Sequence, residues 1–182
     1  MNDQFSSGRC KSKNAILAAI DELLLFGQEK SLRVGDIVRR ADVGRSTFYE
    51  HFANSEQALE ASIRQPLAIL AKSSLRDDEG DLIGLLDHFR DHRARGIGLL
   101  KNENFRTRMI EVLAQEYSLQ LPKLLCEKGL RDLVARQLAD ANLSLIVNWL
   151  ELSTLNSDTC AAILKSTSRH FVEHIRNQAS IG

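Results

Sequence analysis

The sequence predicts an all-α protein with a small N-terminal three-helix head and a larger C-terminal helical body. Three observations lead to this fold class. Apolar residues recur every three or four positions through most of the 182 residues, which is the spacing of amphipathic helices. No segment alternates apolar and polar residues with a period of two, so no sheet is expected. Proline occurs only at Pro66 and Pro122, whereas Ala, Leu, Glu, Arg and Gln are frequent.

The composition limits the class of protein. Hydrophobic residues make up 43% of the chain, enough for a core, and the formal net charge is zero. The three cysteines are odd in number and form no C-x-x-C pair, which argues against a disulfide framework or a zinc module. Residues 1–13 lack a signal-peptide pattern, and no apolar stretch reaches the roughly 20 residues of a membrane span. We therefore expect a cytoplasmic protein with no membrane contact and no cofactor.

The first part of the chain divides into an arm and short helices. Residues 1–11 are predicted to form a flexible basic arm, and Ser12 to cap a first helix that ends near Gly27. The next predicted elements are a helix over 34–41, a tight turn at 42–44 and a helix over 45–51. Together these elements predict a head domain over residues 12–60, followed by a body over residues 61–182.

The body is predicted to contain further helices. Asn54 or Ser55 can cap a fourth helix, and Pro66 inside it should kink or split that helix. Residues 76–80 read as a linker. Later helices are predicted to start near Asp81, at Phe105, at Pro122, at Leu130 and after a capped turn at 156–158, with Gly96 and Gly98 weakening one helix end and Gly129 stopping another.

The two short helices and their three-residue turn have the pattern of a helix-turn-helix. The second helix of such a pair lies in the major groove of DNA. Its inner face therefore needs apolar anchors, and its outer face needs small or hydrogen-bonding side chains. The expected anchors are Val43, Phe48 and Phe52. The outward set is Arg45, Ser46, Thr47, Tyr49 and His51.

The run from Ala41 to Phe52, ADVGRSTFYEHF, resembles the signature of the TetR family. Residues 34–38 are similar to the second helix of that family, and Asn54-Ser55-Glu56 to the start of its fourth. The resemblance covers about a quarter of the chain. It implies a homodimeric regulator of transcription, a repressor that a small-molecule effector releases from an inverted-repeat operator in double-stranded DNA.

Three positions depart from that family pattern. Asp42 replaces the usual turn glycine, Gly44 replaces a hydroxyl cap, and Ser55 stands where a phosphate-binding lysine is common. Residues 1–52 hold eight basic and seven acidic residues, so the electrostatic field is weak and phosphate binding must depend on a few positioned groups. The residues predicted to contact DNA are Lys11, Arg33, Val34, Gly44, Arg45, Ser46, Thr47, Tyr49, His51 and Ser55.

The body is expected to dimerise and, by the resemblance, to bind an effector. The apolar stripes at 130–155 and 159–177 must be buried somewhere, which favours a homodimer through these last two helices. His88 and His92 are four apart and could bind a metal, but a pair without further ligands nearby in sequence is more often structural or solvated, so no metal is predicted. The candidate effector contacts are His88, His92, Arg106, Tyr117 and Trp149.

The alternatives to a DNA-binding regulator are an enzyme and a helical interaction protein. An enzyme is not expected, because the chain has no phosphate-binding glycine loop, no nucleophile elbow and no set of acid, base and nucleophile, so no catalytic residue is predicted. A helical interaction protein that does not bind DNA remains an alternative, because the chain carries little of the excess positive charge that DNA binding favours. The hydroxyl-rich outer face of 45–51 argues against it, since a protein-binding helix more often presents apolar anchors.

Overall fold

The computed structural model describes residues 3–26, 32–76, 80–121, 125, 127–152 and 154–179, and these ranges contain helices and no strand. The all-α prediction is therefore confirmed. In chain order the helices are α1 (Asp3–Phe26), α2 (Val34–Ala41), α3 (Arg45–His51), α4 (Ser55–Leu75), α5 (Gly80–Asp91), α6 (Arg93–Lys101), α7 (Glu103–Gln120), α8 (Lys128–Leu152) and α9 (Ser157–Ala179).

The chain divides into two compact units, Met1–Ile63 and Arg64–Gly182, called here the first and second units. The boundary falls inside α4, close to the predicted boundary at residue 60. The first unit is built on a small apolar core that draws on α1, α2, α3 and the start of α4. Its buried residues are Ile16, Ile20, Ile37, Phe48, Phe52 and Ala58.

The first helix starts earlier than predicted. α1 begins at Asp3, so the expected flexible arm over 1–11 is wrong from residue 3 onward, and Ser12 lies inside the helix rather than at its cap. Residues 3–11 contain no proline. Extending an existing helix adds a hydrogen bond per residue without the cost of nucleation, so a helix anchored by Ile16 and Ile20 can continue toward the N-terminus.

Helix α4 runs from Ser55 to Leu75 without a break at Pro66, so the predicted split is wrong. Proline at that position removes one backbone hydrogen bond and crowds the preceding turn. The cost of the missing hydrogen bond is offset by apolar residues buried before and after Pro66, namely Ile63, Leu67 and Leu70. Of the predicted linker over 76–80, residues 77–79 lie outside the described residues, and α5 begins at Gly80.

The glycines of the second unit do not end helices as predicted. The break between α5 and α6 falls at His92, and Gly96 and Gly98 lie within α6. A side-chain carbon at Gly96 would be 3.3 Å from Leu150 Cδ1, so the glycine allows α6 to approach α8 closely. Gly129 lies inside α8. Of the predicted short helix that starts at Pro122, residues 122–124 and 126 lie outside the described residues.

The core of the second unit contains a polar network among its apolar residues. The Tyr117 hydroxyl of α7 is fully buried and bonds to Ser74 Oγ of α4 at 2.8 Å and to the Asn142 amide of α8. That amide also donates to Ser168 Oγ of α9 at 2.9 Å. Four helices are thus joined by polar groups that satisfy one another. In the described part of the chain, every helix is too short or too polar to cross a membrane.

Candidate nucleic-acid interface

The turn between α2 and α3 is closed by a residue in a left-handed conformation. Asp42 has φ 52° and ψ 46°, and the next amide, that of Val43, donates to Val38 O at 3.1 Å. Gly44 is extended, with ψ 155°, and α3 begins at the following residue. Aspartate tolerates the left-handed region better than most residues, so the predicted tight turn forms without the family glycine.

Helix α3 is held by its aromatic residues. The Phe48 side chain is 0% exposed and Phe52 is also buried, with their ring centroids 5.8 Å apart. Val43 is partly buried and packs against the same core. The structure thus places all three expected anchors on the inner side of the helix-turn-helix. The remaining side chains of α3 are left to face outward or to lie at its margins.

The outer face of α3 carries polar side chains. Arg45, Ser46 and Glu50 are exposed. Tyr49 is 57% exposed, and its ring is perpendicular to that of Phe48, with the centroids 5.5 Å apart. Thr47 is half-buried at the margin of this face. Glu50 is absent from the predicted contacts, although its place on the exposed face follows from helical spacing.

Two arginines lie at the start of α2. Arg33 is exposed and precedes the helix in an extended conformation, with φ −99° and ψ 139°. A side-chain carbon at Gly35 would be 3.6 Å from Arg45 Nη2, so the guanidinium of Arg45 lies over the first turn of α2. The structure therefore brings Arg33 and Arg45 to one corner of the helix-turn-helix. Val34, between them, is half-buried and packs on the core.

Three further predicted residues lie within α1, at the end of α3 and at the start of α4. His51 Nε2 is 2.7 Å from Ser12 Oγ, so this half-buried ring links α3 to α1, and Lys11 is exposed beside Ser12. Ser55 is half-buried at the first residue of α4. The cap of that helix is Asn54, whose Oδ1 accepts from Gln57 N at 2.8 Å while Gln57 Oε1 accepts from Ala53 N at 2.6 Å.

Ion pairs remove part of the positive charge of the first unit. Arg39 pairs with Asp36 at 3.3 Å, and Arg40 pairs with Glu22. Among the residues that the structure describes, Lys11, Arg33 and Arg45 have no such carboxylate partner. In the same part of the chain Lys13 is also exposed without such a partner, so the cations left for an anionic ligand are the three predicted residues together with Lys13, and the exposed carboxylates of Asp42 and Glu50 oppose them.

Three of the five residues predicted to bind an effector are engaged in contacts within the second unit. Tyr117 is buried in the polar network, and burial raises its pKa to about 12 against the opposing effect of its hydrogen bonds. Arg106 bonds to Asp140 and, at 2.8 Å, to Ser144 Oγ of α8. Trp149 Nε1 donates to Leu155 O at 2.9 Å. These three side chains join helices or loops of the second unit.

A groove of about 610 Å³ lies along α7 and α8 of the second unit, and none of the five predicted residues lines it. Arg64 stands at one side, where its guanidinium donates to Glu116 Oε1 at 2.6 Å and Gln115 Oε1 at 2.9 Å. Arg136 stands on α8 and is exposed. The lining residues are Arg64, Glu111, Ala114, Gln115, Ser118, Leu119, Asp132, Ala135 and Arg136.

Comparison with known proteins gives similarity at the level of structure. No protein-family model and no curated protein sequence matches the chain. Among solved structures, a TetR transcriptional regulator from Streptococcus agalactiae 2603V is similar, with a TM-score of 0.55 and 22% identity over 90% of this chain and 96% of that one. The dihydroxyacetone kinase operon activator DhaS gives a TM-score of 0.46 and 18% identity over 93% and 97%. The predicted TetR resemblance is confirmed as a likeness of fold.

Proposed function

We propose that this protein is a regulator of transcription that binds double-stranded DNA through α3. The observation that carries the proposal is the division of α3 into two faces. Phe48 and Phe52 fix the helix on the core, while Arg45, Ser46 and Tyr49 are exposed on the opposite side. A helix with small and hydrogen-bonding side chains on a rigid mount is what major-groove recognition requires. The TetR-like fold supports the same assignment.

The contacts divide by chemistry into positioning and base recognition. Arg33 and Arg45 at one corner and Lys11 near the other end of α3 are suited to phosphates, because they are cationic, exposed and unpaired in the described part of the chain. Ser46 and Thr47 are suited to base edges. Gly44, Val34, Ser55 and His51 contribute through backbone approach or by holding the helix, as the bond of His51 to Ser12 suggests.

We further propose that the protein acts as a cytoplasmic repressor and that an effector bound in the second unit weakens its hold on DNA. An effector can do this only if it prefers the conformation that does not bind the operator. The groove along α7 and α8 is a better place for it than the five predicted residues. Tyr117, Arg106 and Trp149 are already engaged within the protein, whereas the groove is open and presents Arg136.

Selection of DNA tests the proposed function. Purified protein is mixed with fragmented genomic DNA of its source, and bound fragments are recovered and sequenced. A two-fold symmetric protein should enrich fragments that share an inverted repeat with half-sites about one helical turn apart, or a multiple of it. Enrichment that follows only fragment length, or none, would contradict the assignment of α3 to the major groove.

Replacing Arg33 by alanine should weaken binding to all sequences alike. A lost phosphate contact releases fewer counterions, so the slope of log affinity against log salt should become shallower by about one unit per half-site. Fluorescence anisotropy across a salt series measures this slope. Arg39→Ala is the matched control, because Arg39 lies on α2, the helix that Arg33 precedes, is 79% exposed and pairs with Asp36. Equal slopes for the two variants would remove Arg33 from the interface.

We propose that the protein forms a homodimer through α8 and α9. Six large apolar or aromatic side chains are exposed in the described part of the chain, and four of them lie on α8, on α9 or between them. Leu152 is 83% exposed. The concentration of exposed apolar side chains on these two helices favours an interface there, and stable homodimers bury on the order of 2,000 Å² or more. The four residues are Leu133, Leu152, Leu155 and Ile163.

Changing Ile163 to glutamate should shift the protein from dimer to monomer. The side chain is partly exposed on the outer face of α9, so the charge is tolerated in the monomer but would be buried against a second copy. Sedimentation at micromolar concentration measures the mass. Leu119→Glu is the control, because Leu119 is 75% exposed on α7 and should leave the dimer intact. A parent protein that sediments as a single chain would contradict the proposal.

A further inference from the structure

Four of the five histidines of the chain form two pairs with a spacing of four residues, His88 with His92 and His170 with His174. Residues four apart lie on the same face of a helix. In the first pair the rings are brought into contact, with centroids 4.8 Å apart and planes at 63°. The spacing and the ring contact together place two imidazoles where one small ion could reach both.

The surroundings leave both rings of this first pair available. Within the described residues, neither imidazole of His88 or His92 has a hydrogen-bond partner. By contrast, His51 bonds to Ser12 and His170 bonds to Ser166. His88 is exposed on α5, and His92 is half-buried at the junction of α5 and α6. The ring nitrogens therefore have no role within the unit that a ligand would have to displace.

We propose that His88 and His92 bind a divalent transition-metal ion such as Zn²⁺, Ni²⁺ or Cu²⁺. Imidazole nitrogen suits these ions, whereas Mg²⁺ and Ca²⁺ prefer oxygen ligands. Two histidines four apart on a helix provide a bidentate site. No third His, Cys, Asp or Glu of the described residues completes the set, so water fills the other positions of the ion.

The charges around the pair favour a cation only in part. His88 lies in the last turn of α5, where the helix dipole is negative, whereas His92 follows that helix and is the N-cap of α6, where the dipole of α6 is positive. Asp87 is held by Arg90 at 2.7 Å and by Ser157 at 2.7 Å, so its carboxylate is engaged elsewhere. Arg93 is nearby in sequence, and its guanidinium donates to Glu151 O at 3.1 Å. This balance is consistent with a reversibly bound ion rather than a permanent structural one.

Binding should stiffen the junction between α5 and α6. His88 is on α5, and His92 is the residue at which that helix ends and α6 begins. An ion that holds both rings fixes the last turn of α5 and the direction in which the chain leaves it. The folded second unit then binds the metal and the unfolded chain binds it less, so the metal stabilises the unit.

Metal titration of four proteins tests the proposal, all in a Cys10→Ser background because the exposed Cys10 thiol is a rival ligand. The proteins are the background itself, His88→Gln, His92→Gln and the double variant His170→Gln/His174→Gln. Competition with a chromophoric chelator gives the affinities for Zn²⁺ and Ni²⁺. Thermal unfolding with metal about 100-fold above its dissociation constant should raise the melting midpoint of the background by roughly 5 °C or more.

Either single change, His88→Gln or His92→Gln, should lower the metal affinity roughly tenfold or more. Replacing a residue that only orients a metal ligand already costs about 10–100-fold in affinity, and these changes remove a ligand itself. Each should also abolish the rise in melting midpoint, while the His170/His174 variant should behave like the background. Equal affinity in all four proteins, or a loss confined to the His170/His174 variant, would overturn the proposal. Metal affinity is measured without DNA, so failure of the metal site and failure of the proposed DNA binding can be distinguished.

Discussion

Replacing Phe48 by alanine should unfold the first unit while the second unit stays folded. The ring is 0% exposed and packs on Phe52 and the core of α1 and α2. Removing a buried phenylalanine costs about 3–5 kcal/mol. A unit of about 60 residues has a stability of similar size, at roughly 0.05–0.15 kcal/mol per residue. The lost stabilisation is therefore comparable to the whole free energy of unfolding of the first unit.

The single tryptophan makes this result easy to assign. Trp149 belongs to α8 of the second unit, so its fluorescence reports on that unit, whereas far-ultraviolet circular dichroism reports on helices of both. In urea, Phe48→Ala should lose part of its helical signal at low denaturant and keep the Trp149 transition of the parent. Tyr49→Ala is the control, because the exposed Tyr49 should affect DNA affinity and leave folding intact. A dichroism profile unchanged in Phe48→Ala would contradict its role as the anchor.

Replacing Tyr117 by phenylalanine should destabilise the second unit at neutral pH. The change removes the hydroxyl that Ser74 and Asn142 contact and leaves buried polar groups with fewer partners. Such a loss costs about 1–3 kcal/mol. Urea unfolding followed by Trp149 fluorescence measures it. Tyr49→Phe controls for the loss of a tyrosine hydroxyl, since the other tyrosine of the chain is exposed and should show no change.

The cost of Tyr117→Phe should shrink at alkaline pH. Burial raises the pKa of Tyr117 from its ordinary 10 to about 12, so the unfolded chain loses the phenolic proton first. The contribution of this group to stability is full below pH 10 and is lost between pH 10 and 12, at about 1.4 kcal/mol per pH unit. The phenylalanine variant has no phenolic proton to lose at this position. The free energies of unfolding of the parent and of Tyr117→Phe should therefore converge as the pH rises. Burial also raises the pKa of Cys160 to about 12, but this thiol is common to both proteins and cancels. A difference that stays constant from pH 8 to pH 11 would contradict the burial of the hydroxyl.

The helix-turn-helix could be predicted from the sequence because its signals are local. Asp42 tolerates the left-handed turn, and Asn54 caps α4. The bounds of α2 and α3 follow from such residues and from the apolar spacing between them. The outer face of α3 follows as well, since its period and the two buried phenylalanines fix which side chains are exposed.

The remaining differences between the sequence-based predictions and the structure depend on contacts between residues distant in sequence. Gly96 stays inside a helix because Leu150 of α8 comes close to it, and no local pattern reveals that approach. His51 is predicted to face outward toward DNA, yet it bonds to Ser12, which is 39 positions earlier. Tyr117 resembled a ligand contact, but its partner Asn142 is a buried amide that apolar spacing cannot indicate. Local signals therefore sufficed for the turn and for the bounds of α2 and α3, whereas long-range partners decided the placement of His51 in the first unit and of Gly96 and Tyr117 in the second.

The conformation of Asp42 has a consequence for sequence variation at this turn. A side chain at φ 52° costs roughly 1–2 kcal/mol for most residues, and only glycine, asparagine and aspartate take it readily. The residues acceptable at position 42 are thus selected by the backbone and not by any molecule that the protein binds. Asparagine would keep the turn and remove the exposed negative charge, so shape and charge at this position can vary independently of each other.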